Sequence, residues 1–425
     1  MIAAGIQIVA ALLIAALVGG SLLGLSRNSH WFVRGWEYPR LQMAAMLVAL
    51  LGVYGAAAWW RDAGWSPLDW CVAAAALAVV AWHLVRVFRY TPLAPTQVVA
   101  DADLRAGDSA DQLATKRGER VRVVTSNVEM ENHDFEAFVA MVREADPDVV
   151  VALEIDQQWM EGIAELRERF EHVIAVPQDN WYGMILLTKL EVVDHEVRYI
   201  VQEDIPSIHA RLRLPGGGTF VMRCLHPRPP EPVRGTHATS RDAELVVVGR
   251  EVEEADEPTI VTGDLNDVAW SHTTRLFLRL SQLLDPRRGR GLYATWPVDH
   301  PFWRVPLDHI FHSEDFTYGD LQVLPSIGSD HFPICADLVW RHDAELHQEP
   351  TETFDDDQEE AQDKVDEAEE VNSRRVRSPQ RTAEASACEA RPQQRPERPR
   401  PASPGEASPQ QIEGTATGLP QPGWS

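Results

Sequence analysis

The chain has 425 residues, 44 % of them hydrophobic, so more than one structural region is expected. Its net charge of -25, from 39 Lys+Arg against 64 Asp+Glu, repels nucleic-acid backbones and disfavours a general nucleic-acid binder. The cysteines, Cys71, Cys224, Cys335 and Cys388, show neither zinc-site spacing nor the density of a disulfide scaffold; Cys224 and Cys335 lie in apolar strand-like runs and read as inert core thiols.

Apolar segments open the chain at Ile2 to Leu25, about Leu41 to Trp60 and about Trp70 to Val87. The first two are uncharged, the third is charged only at its end, and each approaches the roughly 20 residues a helix needs to cross a bilayer. A cleaved signal peptide is disfavoured, because a basic n-region is missing and further apolar segments follow. Trp31, Trp36, Trp59, Trp60, Trp65 and Trp70 cluster at the segment ends, as an aromatic belt does. Residues 1–90 are therefore expected to form a multi-pass anchor in the lipid bilayer of a cell membrane. Arg27, Arg34 and Arg40 in the first loop, with Arg86 and Arg89 after the third segment, put the following domain on the cytoplasmic side by the positive-inside rule. Residues 91–118 are polar with proline and glycine and read as a linker.

From Glu119 short β-branched runs alternate with helical patterns. Strands are expected at 121–127, 148–154, 184–189, 209–214, 219–226, 258–266, 307–313 and 331–340, and helices at 135–145, 159–170 and 238–255. This mixture predicts a layered α/β domain over 119–341. Beyond it, His342 to Glu370 is strongly acidic and Ser373 to Ser425 is rich in Pro, Arg, Gln, Ser and Glu, so 342–425 is expected to be a disordered, solvated tail.

The chemistry sits at strand ends. Asn127, Glu154, His226, Asp264 and Asn266 each end an apolar strand; Asp308 opens one, and Asp330 and His331 precede the last. Singly, each reads as a turn residue or first-turn charge. As a set they line one sheet edge, where α/β folds bind ligands. Hard oxygen donors from Glu154, Asp330 and the amide of Asn127 suit Mg²⁺ or Mn²⁺. His331 with Asp308 suits water activation, His226 suits the leaving group, and Asn266 either holds a phosphate oxygen or fixes Asp264. Phosphate-ester hydrolysis uses all of them.

Together, TSNVE (125–129), PDVVVALE (147–154), YGMILLTK (182–189), LHPRPP (225–230), TGDLND (262–267), LDHIF (307–311) and GSDHFP (328–333) resemble the endonuclease/exonuclease/phosphatase superfamily, in its motif order. The resemblance implies a four-layer α/β sandwich of two mixed sheets flanked by helices, here preceded by three transmembrane helices. It implies Glu154 as principal metal ligand with Asn127 and Asp330 nearby, Asp264 and Asn266 on the attacked phosphate or the water, and an Asp308–His331 pair. His226 matches the histidine of the deoxyribonuclease-like and sphingomyelinase-like branches, and Glu129 stands at a position often acidic in the family. The anchored layout also resembles actinobacterial VanJ-like membrane proteins, whose catalytic domain is placed outside the cell, opposite to the arginine count; both sides stay open.

Specificity in such a family comes from loops. Anchoring favours a phosphoester substrate that is a lipid or otherwise membrane-associated; a membrane-tethered nuclease and a non-catalytic binding module are the alternatives. Arg228 could sit by the phosphate, whereas Arg287, Arg288 and Arg290 read as surface charge. PVDHPFWRVP (297–306) suits a lipid chain, the bilayer surface or a core edge.

Overall fold

In a computed structural model, residues 1–26, 28–62, 64–107, 118–230 and 237–377 are described. The strands are β1 (Glu119–Asn127), β2 (Val149–Leu153), β3 (His172–Val176), β4 (Met184–Thr188), β5 (Glu191–Arg198), β6 (Ser207–Arg213), β7 (Thr219–Cys224), β8 (Thr259–Asp264), β9 (Asp308–His312), β10 (Phe316–Val323) and β11 (Ile334–Trp340). They form two mixed sheets, ordered β10-β11-β1-β2-β4-β3 and β5-β6-β7-β8-β9.

The apolar runs are explained by coverage on both faces. Every residue of β2 (VVVAL) and β4 (MILLT) is buried. One core lies between the sheets, where Val121, Val123, Val149, Val151 and Leu186 meet Ile208, Leu212, Phe220, Met222 and Ile260. A second core packs helices Phe135–Ala145 and Gln157–Gly162 on the first sheet, through Phe138, Val142 and Trp159. A third packs helices Thr239–Ala255 and His272–Ser281 on the other sheet, through Leu245, Val248, Phe277 and Leu278. The result is the four-layer sandwich. Cys224 and Cys335 are buried in it and unpaired.

Several elements depart from expectation. The helix expected at 159–170 starts at Gln157, where Asp156 accepts from the Trp159 amide (2.7 Å), and ends at Gly162; a 3-10 turn continues over Ala164–Glu168. Edge strand β5 was missed because most of its residues are exposed, which removes the alternation. Strand β10 is interrupted by a register shift between Tyr318 and Asp320. Helix His272–Ser281 is signalled by its cap, Ser271, whose hydroxyl accepts from the Thr274 amide (2.9 Å).

Helices Ile2–Leu23, Arg40–Trp60 and Pro67–Phe88 are each long and apolar enough to cross a membrane. They pack on one another through Ala10, Ile14, Ala44, Leu47, Tyr54, Ala76 and Val79. Gln7 and Tyr54 both donate to Asp69 (2.9 and 2.5 Å). The bundle is joined to the sandwich. Val87 and Tyr90 pack on Val268, Ala269 and Trp270, the Tyr90 hydroxyl donates to the Ala269 carbonyl (2.7 Å), and the Trp270 indole donates to the Glu37 carbonyl (2.9 Å).

The linker and tail expectations need correction. Within 91–118, Val98 is fully buried, the Tyr318 backbone amide donates to the Val99 carbonyl (2.9 Å), and Asp101–Gly107 is helical. Valines 98 and 99 give this polar stretch something to bury; residues 108–117 lie outside the described ones. In the tail, Asp357–Arg377 is a helix. Asp357 pairs with Arg279 (2.7 Å), Glu360 with His272 (2.5 Å) and Lys364 with Asp242 (2.8 Å), while Ala361 is buried with Val246, Leu276 and Leu280. Its acidic composition suggested disorder, but Arg279 on the domain pairs with Asp357, and the helix's own Lys364 pairs with the domain's Asp242. Residues 378–425, including Cys388, lie outside the described residues.

Asp242 is a junction. Its carboxylate accepts from Arg241 (2.8 Å), Arg34 (3.4 Å) and Lys364 (2.8 Å), and all four side chains are almost fully buried.

Candidate functional site

Strand directions bring the strand-end residues together. β1 and β2 are parallel, pairing Asn127 with Leu153, so Glu154 follows beside Asn127. β7 and β8 are also parallel, and β9 runs back along β8 with Asp308 opposite Asp264. β11 runs antiparallel to β1, so His331 enters at the edge where Asn127 leaves. The two sheets meet here through the hydroxyls of Thr125 and Thr262 (2.5 Å).

The turns are tightly determined. Gly263 has φ +148°, and a Cβ there would lie 1.8 Å from the Leu225 carbonyl oxygen, so only glycine lets β8 pass His226. Glu129, Glu154 and Asn266 carry left-handed backbones (φ +57°, +65° and +51°), strained conformations of the kind that cluster at functional sites. The Ser329 hydroxyl donates to the Asn127 carbonyl (2.8 Å) and accepts from the His331 amide (3.0 Å), tying the GSDH turn to β1.

His331 is the centre of the arrangement. Its Nδ1 lies 2.8 Å from Asp308 Oδ2, and its Nε2 is 3.6 Å from Asp264 Oδ2 and 3.9 Å from Asp330 Oδ1. His226 Nε2 lies 3.9 Å from Asp264. The Asn127 amide nitrogen donates to Glu154 (2.9 Å) and Asp264 (3.2 Å), and the Met130 amide donates to the other Glu154 oxygen (3.2 Å). The Asn266 backbone N–H holds Asp264 (2.9 Å), while its side-chain amide donates to the Pro227 carbonyl (3.0 Å). Of the alternatives open for Asn266, this geometry matches fixing Asp264.

Charge and burial perturb these groups strongly. Burial would lower the pKa of His331, but Asp308 and Asp264 outweigh it and push it up to about 10. Burial raises the Glu154 carboxyl to about 7, against the hydrogen bonds from Asn127 and Met130. Burial also raises Asp264, and it lowers His226 to about 4. The Nδ1 of His226 and Oδ1 of Asp308 are buried without a hydrogen-bond partner.

These residues border a cavity of about 690 Å³, also lined by Glu129, Glu131, Trp181, Tyr182, Pro229, Pro230, Trp296, Leu307, Trp31, Gly35 and Tyr38. The lining carboxylates are Glu129, Glu131, Glu154, Asp264 and Asp330, and no Lys or Arg lines it among the described residues. That donor set fits a hard divalent cation, which would favour the charged form of the buried Glu154 carboxyl. Among the described residues, Asp264, Asp308 and His331 form a trio of potential ligands whose donor atoms lie within 4.8 Å of one another. Two expected ligands differ in detail. Asn127 directs its N–H groups at carboxylates while its oxygen accepts from the Glu129 amide (3.0 Å), so it positions Glu154 and Asp264 instead of presenting an oxygen. Asp330 is half exposed, and its Oδ2 accepts from the Trp296 indole (2.8 Å), which leaves Oδ1 toward the cavity.

Arg228 pairs with Asp204 (2.6 Å) and stacks over Tyr182. Arg287, expected at the surface, is buried against Asp285 and donates to the Asp308 carbonyl (3.4 Å). Sequence reasoning missed Ser329 and Glu131, and it missed Trp31, Gly35 and Tyr38, which come from the loop between the first two apolar helices.

Residues 124–331 match the model of the Endonuclease/Exonuclease/phosphatase family. No curated protein gives a match. Among solved structures, a humanized D. rerio TDP2 has 15% identity and TM-score 0.44, covering 52% of this chain and 98% of its own. An endonuclease/exonuclease/phosphatase from Beutenbergia cavernae has 17% identity and TM-score 0.42, over 52% and 72%. The mannosyl-6-phosphatase Bt3783 of Bacteroides thetaiotaomicron has 17% identity and TM-score 0.41, over 52% and 100%.

Proposed function

We propose, for a chain that belongs through residues 124–331 to the Endonuclease/Exonuclease/phosphatase family, that it is a membrane-anchored, Mg²⁺- or Mn²⁺-dependent hydrolase of a phosphoester on a lipid or other membrane-associated molecule. The observation that carries this reading is the cavity's charge. A phosphate entering beside Glu129, Glu131, Glu154, Asp264 and Asp330 meets an excess of carboxylates, with the His331 imidazolium to set against them and no lining Lys or Arg among the described residues. The anchor rests on the three helices long enough to span a bilayer.

Glu154 would hold the metal, with Asp330 Oδ1 in reach of the same space. A bound divalent cation would supply charge neutralisation at the phosphoryl oxygens and the leaving oxygen. Asn127 keeps Glu154 and Asp264 apart and oriented. His331, surrounded by Asp308, Asp264 and Asp330, carries a proton at neutral pH and donates from Nε2 to a phosphoryl oxygen. Asp264, raised by burial and held by the Asn266 N–H, accepts the proton of the attacking water. This reverses the assignment of His331 as base, because its carboxylate neighbours favour the imidazolium. His226 is neutral, with Nδ1 free, and serves the leaving-group side.

The test is a metal-dependent assay of the full chain on a phospholipid, an isoprenyl diphosphate, an inositol phosphate and plasmid DNA, with Glu154→Ala as control. Turnover of a lipid phosphoester that disappears in Glu154→Ala is expected. Turnover of DNA alone would overturn the lipid reading, and undiminished turnover by Glu154→Ala would overturn the metal site. Protease accessibility on intact cells then decides the side of the membrane.

A further inference from the structure

We infer that the loop between the first two apolar helices is the substrate-selecting wall of the cavity, and that the cavity lies at head-group depth, taking a phosphoester whose apolar part stays in the bilayer. This rests on the hydrolase reading above and deepens it.

The apolar helices end on the domain side at Leu23, Arg40 and Phe88. The loop joining the first two sends Trp31, Gly35 and Tyr38 into the cavity lining. It is fixed there. The Ala238 amide donates to the Ser29 carbonyl (2.7 Å), and Arg34 reaches Asp242. The Tyr38 hydroxyl donates to the Asn266 carbonyl (2.5 Å), the residue whose N–H holds Asp264. The wall and the reacting carboxylate are thus one connected unit.

The opposite approach to the same depth comes from the 296–307 segment. Trp296 and Leu307 line the cavity, and between them the turn Pro301–Trp303 exposes Phe302 (57%) and Trp303 (46%). Gln42, in the first turn of the second apolar helix, donates to the Phe302 carbonyl (2.7 Å). A helix that begins to cross a bilayer at Arg40 therefore puts Phe302 and Trp303 at its interface, where exposed aromatic rings are favoured. Phe32 is exposed in the same way (47%) beside Trp31. An amphiphile can thus present its phosphate to His331 and Glu154 without leaving the membrane, its first apolar carbons passing Trp31.

The experiment uses the full chain in phosphatidylcholine vesicles. Phosphatidic acid and phosphatidylglycerol are supplied both as dihexadecanoyl lipids in the vesicle and as soluble dihexanoyl esters. Trp31→Ala is expected to lower the ratio of kcat/KM for long-chain over short-chain ester at least tenfold, with Trp31→Phe restoring most of it. An unchanged ratio overturns the inference, as does a wild type that cleaves only the soluble forms; the hydrolase reading survives both. Absence of metal-dependent cleavage of every ester counts against the hydrolase reading instead. A second readout is independent of activity. A nitroxide on Phe302→Cys, in a Cys71→Ser, Cys388→Ser background, should be more accessible to oxygen than to a water-soluble nickel chelate; the opposite order overturns the depth assignment.

Discussion

Replacing Asp308 by Asn separates the roles open to His331. The two shapes are nearly the same, and Asp308 is fully buried, so the change is one of charge. In the native site the imidazole is raised from its ordinary 6.5 to about 10, despite burial that lowers it, with Asp308 the leading favourable charge. That net shift corresponds to about 5 kcal/mol favouring the protonated ring. If the variant ring falls back to its ordinary value, its charged fraction at pH 8 drops from nearly all to roughly 3%, about a 30-fold loss from titration alone. Losing the 2.8 Å contact that orients the ring adds to this, so kcat should fall about 10²- to 10³-fold at pH 8, the usual scale for one preorganised donor. The sign is specific: the loss should shrink toward pH 6, where the variant ring is recharged. The assay is initial rate at saturating Mg²⁺ from pH 6 to 10. A loss below tenfold at pH 8, or one that shrinks as pH rises, would refute the donor role. Thermal melts in EDTA give an independent check. A raised folded-state pKa contributes stability fully present below 6.5 and lost as pH rises through about 10, so the wild-type melting temperature should decline across that window and the variant's should decline less.

Further outcomes are expected. Glu154→Gln should abolish calorimetrically detected Mg²⁺ binding and lower turnover at least 10³-fold without unfolding the chain; retained binding would place the metal elsewhere. Gly263→Ala should cost more than about 4 kcal/mol, because its Cβ has no room beside the Leu225 carbonyl and its φ is unfavourable, and should be seen as loss of soluble folded protein. His309 and His312 are fully buried and held by burial at about 3 and about 4. A depressed pKa means stability present above 6.5 and lost as pH falls, up to about 2 kcal/mol for each ring by pH 5. Acid melts should show this decline, and His312→Gln should reduce it; a flat profile would contradict the neutral buried rings.

The polar strand ends that gather at the candidate site were legible because buried strands announce themselves and their last residues are polar. Glu154 after VVVAL and Asp264 within TIVTGD need no tertiary information. What the sequence could not show is what crosses long separations. Trp31 reads naturally as a belt residue, and nothing in WFVRGWEY indicates that Tyr38 reaches Asn266. Ser329 is an ordinary turn serine until its hydroxyl meets the Asn127 carbonyl. Asn127 carries an oxygen and two N–H donors, and only its neighbours decide which end faces Glu154. The helix at 357–377 was hidden for an electrostatic reason: Lys364, Asp357 and Glu360 pair with groups far away in sequence.

The Asp242 junction bears on the order in which the molecule is made. Arg34 is made early; Asp242 and Arg241 follow some two hundred residues later, and Lys364 comes after the last strand of the sandwich. Until Lys364 is made, the Asp242 carboxylate lacks one of its cations, so the contacts that tie the cavity wall to the sandwich are complete only when the last described helix is in place.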